Sequence, residues 1–299
     1  MVNKEMIAER FREIQASIVD ALELTDGRGK FRSDNWERPG GGGGLTRVLE
    51  NGNIIEKGGV NFSAVYGALP ANISKALQVE TEGFYATGVS IVLHPHNPHV
   101  PIIHMNIRYF ELDNGNYWFG GGIDLTPHYI VDEDARFFHH ALKSVCDRHH
   151  PSFYESFRQW ADDYFFIKHR DETRGIGGVF FDRLDEKTHG LSKSELFAFV
   201  YEIGEAFAPI YTSLMKKNAG KTFDTSERHW QLLRRGRYVE FNLVYDKGTR
   251  FGLDTGGRIE SILMSLPTMA AWEYDVKPLP DSPEYYTLKN LVKGKNWID

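Results

Sequence analysis

Residues 103–110 read Ile-His-Met-Asn-Ile-Arg-Tyr-Phe, and this stretch decides the fold. Its apolar and polar side chains alternate, which is the pattern of a β-strand with one face toward a core. The other face then presents His104, Asn106 and Arg108 in a row. Bulky apolar segments flank the stretch, at residues 89–93 and 117–119. A polar row in such surroundings needs a partner, and an anionic ligand would satisfy it.

The chain after this strand predicts a hairpin. Residues 113–116 read Asp-Asn-Gly-Asn, a turn sequence that suits positive φ angles. The returning strand contains three glycines, residues 120–122, and ends at Asp124. Either a flat ligand approaches the backbone at these glycines, or a bulge curves the sheet there. Because one bulged residue moves a side chain to the other face, the position of Asp124 relative to His104 stays open.

Composition restricts the class of protein. The chain has 299 residues, 41% of them hydrophobic, which is enough for a substantial core. A net charge of -6 argues against binding to nucleic acid or anionic lipid. The single cysteine, Cys146, excludes an intrachain disulfide and a thiolate-held metal cluster. The N-terminal residues lack the features of a secretory or transit segment, and no stretch has transmembrane length, so we expect a cytoplasmic protein.

The rest of the chain mixes helical and strand patterns. Apolar residues recur at helical spacing in residues 4–24, 132–149, 152–168 and 194–217. Strand patterns occupy residues 45–56, which form a hairpin around Asn51-Gly52, and also residues 87–93, 179–182, 237–245 and 250–253. The glycine run at residues 40–44 predicts a mobile flap or a linker. Residues 1–299 therefore predict one α+β domain, a large and mostly antiparallel β-sheet flanked by α-helices.

Two further segments carry polar groups suited to a site. Residues 94–99 read His-Pro-His-Asn-Pro-His, and with His104 close behind they suggest a metal site, since imidazole is a common ligand. Against a metal, no carboxylate or cysteine stands at ligand spacing in this loop, and prolines also bracket plain rigid turns. His139 falls on the apolar face of its predicted helix, as a hydrogen-bonded core histidine would. Residues 256–258, Gly-Gly-Arg, suit either a carboxylate cradle or an ordinary turn beside a surface arginine.

Residues 160–182 carry a long composite signature. It reads Trp-Ala-Asp-Asp-Tyr-Phe-Phe-Ile-Lys-His-Arg from residue 160, and Glu-Thr-Arg-Gly-Ile-Gly-Gly-Val-Phe-Phe-Asp from residue 172. This signature resembles that of the oxygen-dependent coproporphyrinogen III oxidases, and so do residues 59–63, 94–98, 118–127 and 234–243. The resemblance covers nearly the whole chain. One departure is Ala161, where the family commonly has cysteine.

The resemblance implies a reaction and a set of site residues. The reaction is oxidative decarboxylation of two propionates of coproporphyrinogen III to vinyl groups, with O2 as co-substrate and no organic cofactor, giving protoporphyrinogen IX for haem. The family also implies a homodimer, and the apolar, strand-like residues 237–266 are a candidate for its interface. By position, the family's substrate contacts fall on Ser90, Asn106, Ile107, Arg108, Gly256, Gly257 and Arg258, and its proton donor falls on His104.

The resemblance leaves the metal question open. His94, His104, His139 and His169 match positions proposed as metal ligands in some bacterial members, whereas eukaryotic members are regarded as metal-free. Two alternatives to the main interpretation follow. One is a metal-dependent oxygenase that uses His94, His96 and His104, and the other is a non-catalytic tetrapyrrole-binding protein.

The residues also fit this chemistry on physical grounds. A porphyrinogen has an apolar body and four carboxylates, so Arg108 and Arg258 are candidate carboxylate clamps. Removal of a pyrrole proton calls for a fixed carboxylate near the ring. Asp124, beside the three glycines, is the candidate for that role, with capping of the following Thr126-Pro127 turn as the alternative. The predicted catalytic residues are therefore His104, Asp124 and Arg108.

Overall fold

The computed structural model describes residues 2–69, 83–254 and 257–298. The strands within these residues are β1 (Arg32–Glu37), β2 (Gly42–Glu50), β3 (Ile55–Ala68), β4 (Gly83–Pro95), β5 (Ile102–Leu112), β6 (Tyr117–Thr126), β7 (Phe166–Ile167), β8 (Glu172–Thr173) and β9 (Gly178–Leu184). Seven of them form one antiparallel sheet in the order β1-β2-β3-β4-β5-β6-β9, and β7 pairs with β8. The α+β fold with a large antiparallel sheet is confirmed.

The helices of the described residues are α1 (Lys4–Asp26), α2 (Asp132–His149), α3 (Phe153–Tyr164), α4 (Glu186–His189), α5 (Lys193–Asn218), α6 (Thr225–Val244), α7 (Lys247–Asp254), α8 (Ile259–Leu263) and α9 (Pro283–Asn290). Local sequence sets their ends. Asn3 caps α1 by accepting a hydrogen bond from the Met6 N–H, and Gly27 ends it in the left-handed region at φ 78°. None of these helices is both long and apolar enough to cross a membrane.

One face of the sheet is closed by helices. Ile103, Met105 and Ile107 of β5 point to this face and are fully buried in the main hydrophobic core. Gly204 of α5 lets the helix approach the sheet, because a Cβ there would lie 2.7 Å from Ile14 and 2.9 Å from Ile107 side-chain atoms. The alternation predicted for residues 103–110 is therefore confirmed. It leaves the polar row on the opposite face, which we call the open face, although Tyr238 of α6 packs on Val92 and Ile102 at one end of it.

The strand prediction for residues 237–245 is wrong, because these residues lie in α6 or directly follow it. A capping box starts this helix: the Asp224 side chain accepts hydrogen bonds from the backbone at Ser226 and Glu227, and the Glu227 side chain accepts one from the Asp224 N–H. Residues 250–253 are likewise helical, within α7. The predicted linker at residues 40–44 is partly strand, since β2 begins at Gly42.

Candidate active site

The open face carries rows of polar residues that cross the sheet. In one row the directly opposed residues from β1 to β9 are Asp34, Thr46, Asn61, Ser90, Asn106, Gly122 and Phe180. Antiparallel pairing brings these side chains together from distant parts of the sequence. Ser90 and Asn106, two of the predicted substrate contacts, are therefore neighbours on the open face. Ile107 points into the core, so it can reach a ligand there only through main-chain atoms.

His104 and Asp124 oppose each other on β5 and β6. His104 Nδ1 lies 2.8 Å from Asp124 Oδ1. The Asp124 side chain is 1% exposed, whereas that of His104 is 20% exposed. His104 Nε2 has no hydrogen-bond partner within the described residues. The pair therefore consists of a buried carboxylate and an accessible imidazole whose second nitrogen is available to a ligand.

Arg174, which directly follows β8, completes this group. Its Nη2 lies 2.8 Å from both Asp124 oxygens, and its Nη1 donates to Asn242 Oδ1 of α6. Three aromatic rings surround the guanidinium at 4.4–4.7 Å, those of Phe165, Tyr238 and Phe241. Such contacts stabilise a cation that is otherwise cut off from water. Arg174 is only 2% exposed, so it is a fixed part of the site.

Asp124 keeps its negative charge in this setting. Burial alone would raise its pKa, but the Arg174 guanidinium and the hydrogen bond from His104 outweigh burial and hold the pKa of Asp124 below its ordinary value. The pKa of Arg174 is raised, because Asp124 outweighs the opposite effect of burial. Asp124 is therefore an anion beside His104, and its contact with Nδ1 orients the imidazole.

Arg108 lies on the same face, two rows from the His104–Asp124 row and next to the row of Asn106. Its Nη1 donates to Asn106 Oδ1, and its Nη2 lies 2.8 Å from Asp182 Oδ1 of β9. The pair crosses β6 at Gly120, where a Cβ would lie 2.6 Å from Asp182 Oδ1 and 2.7 Å from Arg108 Nε. The approach of a flat ligand at the three glycines stays a prediction, while an irregular register beside them agrees with a bulge. Gly120 makes room for an ion pair of this chain, and a register irregularity between β6 and β9 falls between Phe119 and Gly121.

Residues 257–266, which we call the covering segment, lie over β2, β3 and β4. Ser261 hydrogen-bonds Thr46 through its hydroxyl and accepts from Asn61 through its carbonyl. Met264 packs where a side chain on Gly59 would be. The covering segment therefore places Arg258 above β1, where the guanidinium pairs with Asp34 and donates to Ser261.

The glycines before Arg258 are placed only in part. Gly256 lies outside the described residues. The Gly257 N–H donates to the Gly252 carbonyl at 2.8 Å, so that donor is already used within the chain. The proposed cradle at residues 256–258 therefore rests on the Arg258 guanidinium.

The candidate metal ligands do not come together. His94 is fully buried, with Nε2 2.8 Å from the Ser265 carbonyl, and burial lowers its pKa to about 3. His139 lies in the core between the Tyr154 hydroxyl and the Ile176 carbonyl, and burial lowers its pKa to about 4. His169 contacts Glu240 and Tyr245, and the nearest carboxylate to His96 is Glu56 at 3.9 Å. No three His, Cys, Asp or Glu side chains of the described residues are placed to hold an ion, so the implied ligand set does not fit.

Arg174 was not predicted as a site residue, although it stands inside the signature at residues 160–182. Its partners Asp124 and Asn242 lie 50 and 68 positions away. The only local signal is an arginine within an apolar and glycine-rich run. Asp182 and Asp34, which form ion pairs with the candidate carboxylate clamps Arg108 and Arg258, were also not predicted.

This fold and site define a class of enzyme. An open sheet face with a carboxylate-backed histidine and two accessible arginines is suited to proton transfer on an anionic ligand. Residues 6–297 match the family model described as coproporphyrinogen III oxidase. The chain therefore belongs to the coproporphyrinogen III oxidase family.

Individual relatives agree with the family match. The chain is 50% identical to the oxygen-dependent coproporphyrinogen-III oxidase of Drosophila melanogaster, over 96% of this chain and 76% of that protein. It is 48% identical to coproporphyrinogen-III oxidase 1, chloroplastic, of Arabidopsis thaliana, over 96% and 77%. It is 49% identical to the mitochondrial oxygen-dependent enzyme of Homo sapiens, over 96% and 65%. The resemblance described from the sequence is confirmed.

Proposed function

We propose that the open sheet face binds coproporphyrinogen III and catalyses its oxygen-dependent oxidative decarboxylation to protoporphyrinogen IX in haem biosynthesis. Family membership over residues 6–297 supports the reaction. In each of the two rounds, a propionate loses CO2, one proton and two electrons and becomes a vinyl group. The two electrons, that proton and a second proton from solvent reduce O2 to hydrogen peroxide. The protein must therefore hold carboxylates, move protons and admit O2.

The His104–Asp124–Arg174 group is the observation that carries the site assignment. His104 is the member that a ligand can reach, and Asp124 is shielded beneath it. In this proposal His104 Nε2 accepts the pyrrole proton, and Asp124 stabilises the imidazolium through Nδ1. Asp124 thus takes part in base chemistry through His104. A protonated His104 can then return a proton later in the cycle, which agrees with the donor role implied by the family.

Two arginines are proposed to bind the propionates. Arg108 and Arg258 are both partly exposed on the open face, so their guanidiniums can reach a ligand. Ser90 and Asn106 lie between them in the polar row and can donate hydrogen bonds. Phe180 lies against Gly122 and stacks on Tyr164 at 4.0 Å, which gives the apolar body of the ring a flat aromatic wall.

Metal-stripped protein is expected to consume O2 and produce protoporphyrinogen at the untreated rate. The reason is that the four histidines implied as ligands have separate partners and do not form one site. Oxygen uptake and porphyrin fluorescence after exhaustive chelation measure this. Loss of both, restored by one added divalent metal, would instead favour the metal-dependent oxygenase. Binding of the tetrapyrrole without any O2 uptake in untreated protein would favour the non-catalytic carrier.

A homodimer is expected. The sequence prediction placed the interface at residues 237–266 as β-structure, but the structure makes most of this segment helical. It still presents apolar side chains to solvent: Leu243, Val244, Leu253 and Ile259 are 42–56% exposed. Light scattering should give twice 34.2 kDa, and Val244→Glu should lower that mass. A monomer mass for the unmodified protein at micromolar concentration would contradict the proposal.

The cytoplasmic location also stays a prediction. The names of the Arabidopsis and human relatives include a chloroplastic and a mitochondrial designation, and these designations describe those proteins. Fractionation of cells that express the full chain would test it.

A further inference from the structure

Each proposed clamp arginine already holds an aspartate of its own chain. Arg108 pairs with Asp182 on β9 at 2.8 Å, and Arg258 pairs with Asp34 on β1 at 2.5 Å. β9 and β1 are the two edge strands of the sheet. The open face is therefore bordered at both ends by an arginine–aspartate pair, each oriented so that the carboxylate contacts the guanidinium that a propionate would need.

These two pairs differ in kind from the Arg174–Asp124 pair. The four side chains involved are 28–36% exposed, whereas Arg174 and Asp124 are almost completely buried. Partly exposed ion pairs contribute little to stability, because water and salt compete with them. Breaking a buried pair leaves a charge without solvent and costs far more. The two edge pairs can therefore be exchanged for another carboxylate, and the buried pair cannot.

The Arg108–Asp182 contact depends on a glycine between the two side chains. Any side chain at Gly120 would collide with both partners, so the pair in this geometry requires glycine there. At the other end, Arg258 is held toward Asp34 by Ser261, which is itself fixed to Thr46 of β2. Two independent parts of the structure thus bring an aspartate to a clamp arginine.

We infer that Asp34 and Asp182 are resident partners of the clamp arginines that exchange with the propionates of the substrate. The inference rests on the proposed function, in which Arg108 and Arg258 bind those propionates. When substrate binds, a propionate displaces the aspartate. When that propionate is lost as CO2, the guanidinium has no ligand carboxylate, and the aspartate pairs with it again. The aspartates also limit how tightly a propionate is held before it reacts, which keeps ground-state binding from opposing decarboxylation.

Removal of Asp34 or Asp182 should increase the affinity for a tetracarboxylate ligand. Each aspartate competes with the ligand for its arginine, so it weakens ligand binding by the factor that its own ion pair contributes. For partly exposed pairs this factor is about 1.4- to 5-fold. Asp34→Asn and Asp182→Asn should each lower the Kd for coproporphyrin III by about this amount. Coproporphyrin III is the non-reacting, fully oxidised tetracarboxylate, so fluorescence quenching at equilibrium reports binding without turnover. In steady state the same variants should lower KM without raising kcat.

Two controls separate exchange from a general change of charge. Glu50 lies in the groove that also contains Asp34 and Arg258, yet it has no ion pair with Arg258, so Glu50→Gln removes the same charge from the same region. It should leave the Kd unchanged. The second control repeats each aspartate substitution in a protein whose clamp arginine has already been replaced. Asp34→Asn should have no effect when Arg258 is already Gln, and Asp182→Asn should have none when Arg108 is Gln.

The outcomes distinguish the inference from the proposed function. If Arg258→Gln and Arg108→Gln bind coproporphyrin III as tightly as the unmodified protein, these arginines do not bind the propionates. Both the proposed role of the arginines and the exchange are then refuted. If the arginine variants bind coproporphyrin III weakly but Asp34→Asn and Asp182→Asn leave its Kd unchanged or raise it, the arginines do bind propionates and only the exchange is refuted. Equal tightening by Glu50→Gln, or tightening that persists in the arginine variants, also refutes it.

Discussion

Asp124→Asn is expected to fold and to bind coproporphyrin III, but to lose about 10²–10⁴-fold in kcat. Asn has nearly the shape of Asp and can still accept a hydrogen bond from His104 Nδ1. It cannot offset the positive charge that His104 gains when it takes a proton, and it cannot balance Arg174. Oxygen uptake under substrate saturation measures the loss. KM should change little, since Asp124 is shielded from the ligand by His104.

The same substitution should lower stability, and this effect needs to be separated from the loss of rate. Removing one member of a buried ion pair typically costs about 3–5 kcal/mol, because the other charge is left uncompensated. Arg174 is that charge here, at 2% exposure. The double variant Asp124→Asn with Arg174→Gln removes both charges, so denaturant unfolding should show most of the lost stability restored. Its turnover should stay as low as that of Asp124→Asn.

Two results would contradict this account of Asp124. Near-normal oxygen uptake in Asp124→Asn, together with a lowered melting temperature, would reduce Asp124 to a structural partner of Arg174. Recovery of turnover in the double variant would mean that only charge balance within the buried pair matters. The sequence alone suggested a third reading, in which Asp124 merely caps the turn at Thr126-Pro127. Its hydrogen bonds go instead to His104 and Arg174.

The sequence predicted the closed and open faces of the sheet correctly because that information is local. Strand side chains alternate with a period of two, so residues 103–110 alone assign His104, Asn106 and Arg108 to one face. Helix α2 was predicted with its observed ends for the same reason, since apolar spacing and terminal charges lie within the segment. Patterns of this kind need no knowledge of the partner.

Helix α6 shows how local patterns mislead. Residues 239, 241, 243 and 245 alternate as a strand would, yet Leu243 is 46% exposed, so this alternation does not mark a buried face. The buried residues Trp230, Arg234, Tyr238 and Phe241 recur at helical spacing instead. The capping box at Asp224 and Glu227 was the sequence signal that could have corrected the prediction. A correct helix assignment would also have placed Tyr238 and Asn242 on one face of α6. In the structure both of these residues contact Arg174.

The part of the site that depends on tertiary contacts could not be predicted from the sequence. Arg174 meets Asp124 only because the segment between β8 and β9 runs beside the end of β6, where Ile176 and Gly177 hydrogen-bond the Leu125 backbone, and no spacing rule encodes that. The pairing of His104 with Asp124 needed a register that a single bulge could change. The bulge exists, but it lies between β6 and β9, and the β5–β6 register is regular.

His104→Gln is expected to cause a second large loss, about 10²–10⁴-fold in kcat, with binding of coproporphyrin III nearly unchanged. Gln can keep a hydrogen bond to Asp124 but cannot carry a proton at neutral pH. His96→Gln is the matched control, since His96 is a partly exposed histidine of the 94–99 loop and lies outside the polar rows. It should turn over as the unmodified protein does.

Metal content and chemical rescue decide what His104 does. If His104 transfers protons, metal content should be the same before and after substitution, and added imidazole should restore part of the turnover of His104→Ala. Imidazole can reach this position, because His104 is 20% exposed and its truncation opens a space toward the open face. Loss of a stoichiometric metal together with activity would make His104 a ligand. Full activity in His104→Gln would remove it from the reaction, and Asp124 would then have no accessible group through which to act.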